Sequence, residues 1–186
     1  MSKTLAVFLR GINVGGVSIA MADLREALAL PGVAAVQTIL ATGNAVLTLD
    51  AGNADPAQWK ADIEQRLHER FRYDAHVFVL GAAQVEQVAA EAQAMEVPAG
   101  CHLYVLLLED HALFEELNAL FATLAHMPQE RFLPMSCGAF WVVPRGSTVE
   151  SPFGNKALGD RRYKSRLTSR NVNTWHKVLQ AMEKNR

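Results

Sequence analysis

The stretch Val33-Ala34-Ala35-Val36-Gln37-Thr38-Ile39-Leu40-Ala41-Thr42-Gly43-Asn44-Ala45-Val46-Leu47-Thr48-Leu49 reads as two strands, Val33–Ala41 and Ala45–Leu49, folded back on each other. Gly43-Asn44 is a two-residue hairpin signal between them. Each side of this hairpin carries a helix and then a strand. Upstream, Met21, Leu24, Ala27 and Leu28 share one face of a short helix over Met21–Leu30, ended by Pro31-Gly32, and Thr4–Arg10 before it is a strand. Downstream, a helix from about Asp55 carries Trp59, Ile63, Leu67 and Phe71 at i+4 steps, and His76–Leu80 is the next strand. The order is βαββαβ, the ferredoxin-like split unit.

The second half repeats the pattern without repeating the residues. Val85, Val88, Ala89, Ala92 and Met95 mark a linking helix. Leu103–Leu108 is a strand, and Leu113, Leu117, Leu120, Phe121 and Leu124 mark a helix. Arg131–Met135 and Ala139–Val143 are strands around Ser136-Cys137-Gly138, with Pro144 at the strand end. An irregular basic stretch, Ser151 to Leu167, leads to a last helix with Val172, Trp175, Val178, Leu179 and Met182 on one side. The expected architecture is α+β: two ferredoxin-like (βαββαβ-type) halves with mainly antiparallel sheets and a C-terminal helix. The boundary falls between an N-terminal subdomain, 1–80, and a C-terminal α+β subdomain, 81–186, that holds the basic tail and final helix.

That topology makes the first and third strands antiparallel neighbours, so Arg10–Gly16 belongs beside Thr42-Gly43-Asn44. It also sends Cys101 and Cys137 to opposite ends of one sheet, against a disulfide between them. Leu5–Leu9 and Leu103–Leu108 are apolar at every position, so neither sheet is expected to show an open face.

The formal net charge is −1, but its sign is divided along the chain. Residues 1–150 hold 9 Lys+Arg against 17 Asp+Glu, whereas residues 151–186 hold 9 against only Asp160 and Glu183. Such a tail wants an anionic ligand or the acidic body of its own chain. The apolar run before Leu9 is short and is interrupted by Arg10, and nothing approaches the ~20 apolar residues of a membrane span. Two cysteines without metal-like spacing complete a cytoplasmic reading, with no membrane partner.

Leu9-Arg10-Gly11-Ile12-Asn13-Val14-Gly15-Gly16, Met21 with Leu24, Thr42-Gly43-Asn44 and Thr168-Ser169-Arg170-Asn171-Val172-Asn173-Thr174 together resemble an uncharacterised bacterial family, domain of unknown function 1697. The resemblance implies a small cytoplasmic protein of two α+β subdomains related to the ferredoxin-like fold. It implies no established activity or catalytic residue. Val172 stands where the family usually has a tryptophan between the two asparagines, and Val17 where a lysine is common.

Gly11–Ser18 follows a strand and comes one residue short of a P-loop, with Val17 where the phosphate-reaching lysine belongs and no strand-end Asp for magnesium. A simpler anion site remains, built from main-chain N–H groups of the glycine segment with Arg10 as its charge. A connection that merely needs room to turn explains the same glycines. In Thr168–Thr174, Ser169 or Thr168 is expected to cap the last helix. Arg170, Asn171, Asn173 and Thr174 then fall in its first turn, where N–H groups suit phosphate or carboxylate. Capping and bonds to the acidic body explain this motif equally. Tyr163 among Lys156, Arg161, Arg162, Lys164 and Arg166 fits single-stranded nucleic acid or a solvated surface.

The candidate ligand-binding residues are thus Arg10, Gly11, Asn13, Gly15, Gly16, Thr42, Asn44, Arg170, Asn171, Asn173 and Thr174. Their ligand is a phosphate-bearing small molecule or a nucleic-acid end. The alternative is a structural or protein-interaction module in which these polar motifs lock the halves together. The six histidines show no metal spacing, no cofactor motif is present, and no catalytic residue or reaction is indicated.

Overall fold

The computed structural model describes residues 3–10, 18–50, 55–72 and 74–185. Contacts divide the chain into two compact units, Met1–Glu86 with His176–Arg186, and Gln87–Trp175.

The first unit contains β1 (Lys3–Arg10), α1 (Met21–Ala27), β2 (Val33–Ile39), β3 (Asn44–Leu49), α2 (Pro56–Phe71) and β4 (His76–Gly81). Its antiparallel sheet has the order β2-β3-β1-β4. Asp55 starts α2 by accepting the Ala57 N–H at 3.0 Å, with Pro56 in the first turn, where its missing N–H costs nothing. Leu5, Val7 and Leu9 of β1 and Ala45, Leu47 and Leu49 of β3 form one core with Leu24, Ile63 and Leu67 of the two helices. Trp59 and Phe71 pack at its rim, completing the α2 stripe.

Two boundaries differ from expectation. Helix α1 stops at Ala27 because Pro31 disfavours helical backbone at Leu30; the Ala29 N–H reaches only the Glu26 carbonyl as the turn tightens. The hairpin is a four-residue connection, Leu40–Gly43, rather than a two-residue Gly43-Asn44 turn. Leu40 (φ 58°) and Gly43 (φ 73°) take the left-handed positions, and Asn44 opens β3 opposite Ile39.

Helix α3 (Ala82–Gln93) leads on to β5 (Cys101–Leu108), α4 (His111–Thr123), β6 (Arg131–Met135), β7 (Gly138–Pro144), α5 (Pro152–Gly159) and β8 (Leu167–Asn171). A 3₁₀ turn, Arg161–Tyr163, lies between α5 and β8, and α6 (Val172–Lys184) ends the chain. The second antiparallel sheet has the order β6-β7-β5-β8, so both halves have the same βαββαβ winding. Cys101 begins β5 and Cys137 lies in the β6–β7 hairpin beyond Leu107, and both are free thiols. Both faces of the central strands are buried: Ala6 and Phe8 as well as Leu5 and Val7, and Val105 and Leu107 as well as Leu106 and Leu108.

The stretch Ser151–Leu167 is not irregular. Ser151 caps α5 by accepting the Gly154 N–H at 3.0 Å, and Pro152 occupies the first turn. Eight residues that bury only Phe153, Gly154 and Ala157 make too short a stripe to read as a period. The larger correction is β8. Leu167–Asn171 is a strand paired with β5, Leu107 opposite Thr168 and Val105 opposite Arg170, so Arg170 and Asn171 do not lie in a first helical turn. Thr168 and Ser169 do not cap α6. Asn171 does, its Oδ1 accepting the Asn173 N–H at 2.9 Å.

At the centre of the second unit lies a buried carboxylate. Glu130 accepts the Trp141 indole N–H (2.9 Å) and the Ser151 hydroxyl (2.6 Å) at Oε1, and the Met127 N–H (2.8 Å) at Oε2. One side chain thereby joins the approach to β6, the middle of β7 and the cap of α5. Trp141 in turn packs on Phe153 and Phe153 on Phe132, with centroids 5.8 and 4.9 Å apart.

Candidate functional site

The glycine segment follows β1, and its Gly11, Asn13, Gly15 and Gly16 lie outside the described residues. Its neighbours are placed. The Leu9 N–H donates to the Gly43 carbonyl at 2.7 Å, which brings the end of β1 beside the β2–β3 turn as the topology predicts. Arg10 stands directly opposite His76 of β4, and Phe8 is opposite both Asn44 and Phe78. Directly opposed residues point to the same face of a sheet. Arg10, His76 and Asn44 therefore share the face away from the core formed by Leu5, Val7 and Leu9 with α1 and α2.

Arg10 is half-buried, Thr42 is exposed and Asn44 is fully buried. The Asn44 amide nitrogen donates to the Ile39 carbonyl at 3.0 Å and the Thr42 hydroxyl at 2.9 Å. Both N–H groups of that carboxamide therefore hold the turn. An arginine and a histidine side by side at one sheet end attract an anion, more so when the imidazole is protonated. Sequence reasoning missed His76. Only the β1–β4 register brings it to Arg10, and the residues around it carry no mark of that partnership.

The second group lies in the other unit. The Arg170 guanidinium donates through Nη1 to the Thr168 hydroxyl and the Ser169 carbonyl, both at 2.8 Å, folding back along its own strand. Asn171 caps the helix, Asn173 is exposed and Thr174 is half-buried. This motif presents two polar side chains at a helix start, with its cation drawn onto β8.

Arg162 and Arg166 of the basic run are paired with acids of their own unit. Arg162 pairs with Asp160 at 2.9 Å, and Arg166 with Glu109 at 2.8 Å and Glu116 at 3.2 Å. Tyr163 is buried, 2% exposed, so its ring is not offered to a stacking base. Its hydroxyl donates to Glu116 at 2.8 Å. That bond, followed by Arg166, holds the Glu116 carboxyl below its ordinary range. A carboxyl with a lowered folded-state pKa stabilises the fold at neutral pH and loses that contribution as pH falls through the lowered value. Tyr163→Phe is expected to return Glu116 toward the ordinary carboxylate range, read from its carboxyl carbon shift in an NMR titration. An unmoved Glu116 titration would assign the effect to Arg166 instead.

No group of three or more His, Cys, Asp or Glu among the described residues is placed to hold a metal. Burial pushes the Cys137 thiol up, away from the thiolate a nucleophile needs. No helix among the described residues is long and apolar enough to cross a membrane.

A family model described as "Protein of unknown function (DUF1697)" matches residues 1–133. The chain belongs to that family. The match includes Arg10, the glycine segment and Thr42-Gly43-Asn44, and ends before Thr168–Thr174. Among solved structures, a conserved bacterial protein, SP0830 from Streptococcus pneumoniae, superposes with a TM-score of 0.74 at 21% identity. The superposition covers 98% of this chain and 99% of that one, and shows that the two share a fold. No curated protein matches the chain.

Proposed function

We propose that this is a cytoplasmic protein that binds a phosphate-bearing small molecule or a nucleic-acid end. The binding groups are Arg10, the N–H groups of the glycine segment Gly11–Gly16, and Thr42. One observation carries the reading: Arg10 emerges at a strand end on the same face as His76, beside the exposed Thr42. A guanidinium supplies a two-pronged donor for phosphate, and glycines let an anion approach main-chain N–H groups. In the same reading the end of β8, with Arg170 and Asn171, and the start of α6, with Asn173 and Thr174, supply a second phosphate-binding group in the other unit.

A second reading is favoured by the bonds of Asn44, Arg170 and Asn171, each of which ties its own backbone together. On that reading the polar motifs are architectural, and the protein is a structural or interaction module.

Arg10→Ala separates the two. If Arg10 serves a ligand, stability should change by no more than about 0.5 kcal/mol. Binding of inorganic phosphate, a nucleotide or a 5′-phosphorylated oligonucleotide should weaken by about 1.5–3 kcal/mol. A probe at ~100 times its Kd should stabilise the unmodified protein by about 2.7 kcal/mol in thermal unfolding. If Arg10 is instead a buried strut, the substitution should cost about 3–5 kcal/mol of stability. Absence of a thermal shift with all three probes would remove the ligand reading.

A further inference from the structure

The two sheets have four edge strands, and their exposed backbone is handled in two different ways. The Leu9-to-Gly43 bond sets the alternation in the first sheet: odd-numbered residues of β1 bond to β3 and even-numbered ones to β4. Val77, Val79 and Gly81 of β4 then turn their N–H and C=O groups outward. Glu64 of α2 accepts the Val77 N–H at 2.9 Å, Lys60 donates to the Val77 carbonyl at 2.7 Å, and Gln84 accepts the Gly81 N–H at 3.0 Å. Val79 is left between two occupied positions, too short a gap for a ladder.

The Glu109-to-Arg166 and Arg145-to-Gly100 backbone bonds set the alternation in the second sheet. On β6 the outward residues are Phe132 and Pro134, and proline has no N–H to offer. On β8 the outward Ser169 carbonyl already accepts Arg170 Nη1. Each of these three edges is therefore interrupted by a side chain or a proline.

The fourth is β2. Asn44, Val46 and Thr48 of β3 bond to Ile39, Gln37 and Ala35, so Val36 and Thr38 face outward. Among the described residues nothing hydrogen-bonds to the backbone of either. Val33–Ile39 contains no charged residue and no proline, and is rich in strand-forming residues. Just beyond it Leu40 is 46% exposed, one of only three exposed large apolar side chains among the described residues.

We infer that β2 is the docking edge for a second copy of this chain, paired antiparallel across a two-fold axis near Gln37. An antiparallel strand is self-complementary: Val36 meets the partner's Thr38, and Thr38 meets the partner's Val36, in two hydrogen-bonded pairs. Absence of charge lets identical strands approach without repulsion, where a single lysine would prevent it. The same pairing brings the exposed Leu40, in the turn just beyond β2, toward the start of the partner's β2. One short ladder buries less than the ~800 Å² per partner of a standard interface, so the dimer is weak and concentration-dependent.

Sedimentation velocity from about 1 µM to about 1 mM protein, the span of micromolar to millimolar affinity, reads this directly. The unmodified chain should shift from monomer toward dimer. Exposed Ala35 lies close to the axis, so Ala35→Lys and Ala35→Glu should each remain monomeric, and an equal mixture of the two should associate again. Hydrogen exchange of the unmodified chain gives a readout independent of the variants. Protection of the Val36 and Thr38 amides should grow with concentration. A chain that is monomeric throughout, or a dimer that survives Ala35→Lys without added protection at Val36 and Thr38, would overturn the inference.

Discussion

Glu130→Ala is expected to lower the unfolding free energy by about 3–5 kcal/mol in chemical denaturation, a large part of a typical 5–15 kcal/mol total. The carboxylate is 7% exposed and accepts three protein donors. Its removal leaves the buried Trp141 indole N–H without an acceptor, at about 1–3 kcal/mol, and strips the partly buried Met127 N–H of its partner as well. The Ser151 hydroxyl keeps its role as the α5 cap, which moderates the loss. Glu130→Gln should fall between. Its carbonyl oxygen can still accept Trp141 and Ser151, but its NH₂ group then faces the Met127 N–H, donor to donor. Equal stability of all three proteins would mean that water replaces the carboxylate and that the site is not a structural knot.

Gly138→Ala is the second large effect, expected at about 3 kcal/mol or more. Gly138 opens β7 at φ 148°, and a Cβ there would overlap the Leu106 carbonyl oxygen of β5 and lie 3.1 Å from the Leu108 nitrogen. Both contacts are backbone, so relief requires β7 to move away from β5 at the position where Gly138 pairs with Leu107. Gly159→Ala is the contrast: a Cβ there meets nothing within 4 Å, at the end of α5. It should raise stability by about 0.5–1 kcal/mol, because alanine loses less backbone entropy. Thermal unfolding of the two variants should therefore move in opposite directions. A neutral Gly138→Ala would show that the β5–β7 ladder adjusts without loss.

Phe71, Leu67, Ile63 and Trp59 were legible as a helix because their spacing is a property of the chain alone. The same holds for Asp55-Pro56 as a helix start and for the alternating signals of βαββαβ order, which local turn chemistry sets. Leu167–Asn171 was not legible. A five-residue run of mixed polarity next to a helix gains strand character only from β5, roughly sixty residues away in sequence. Residues of capping type that precede a helix, such as Thr168 and Ser169, carry no sign that a strand needs them first. Asn44 was recognised as part of a turn, yet its place in β3 depends on two acceptors it meets only when the hairpin closes.

The candidate site divides along the same line. The end of β1 and Thr42-Gly43-Asn44 were brought together by topology, since neighbouring strands follow from the order of elements. By itself, then, the sequence determined the winding of the first half and the first four elements of the second half's winding, the buried stripes and the adjacency of β1's end to the β2–β3 turn. Only the tertiary structure decided that His76 faces Arg10, that Arg170 bonds along its own strand, that Glu130 joins Trp141 to Ser151, and that Val36 and Thr38 of β2 turn their backbone groups away from β3. Each of these depends on register or on a partner distant in the chain, and a hydrogen bond between such groups leaves no trace in the residues flanking either one.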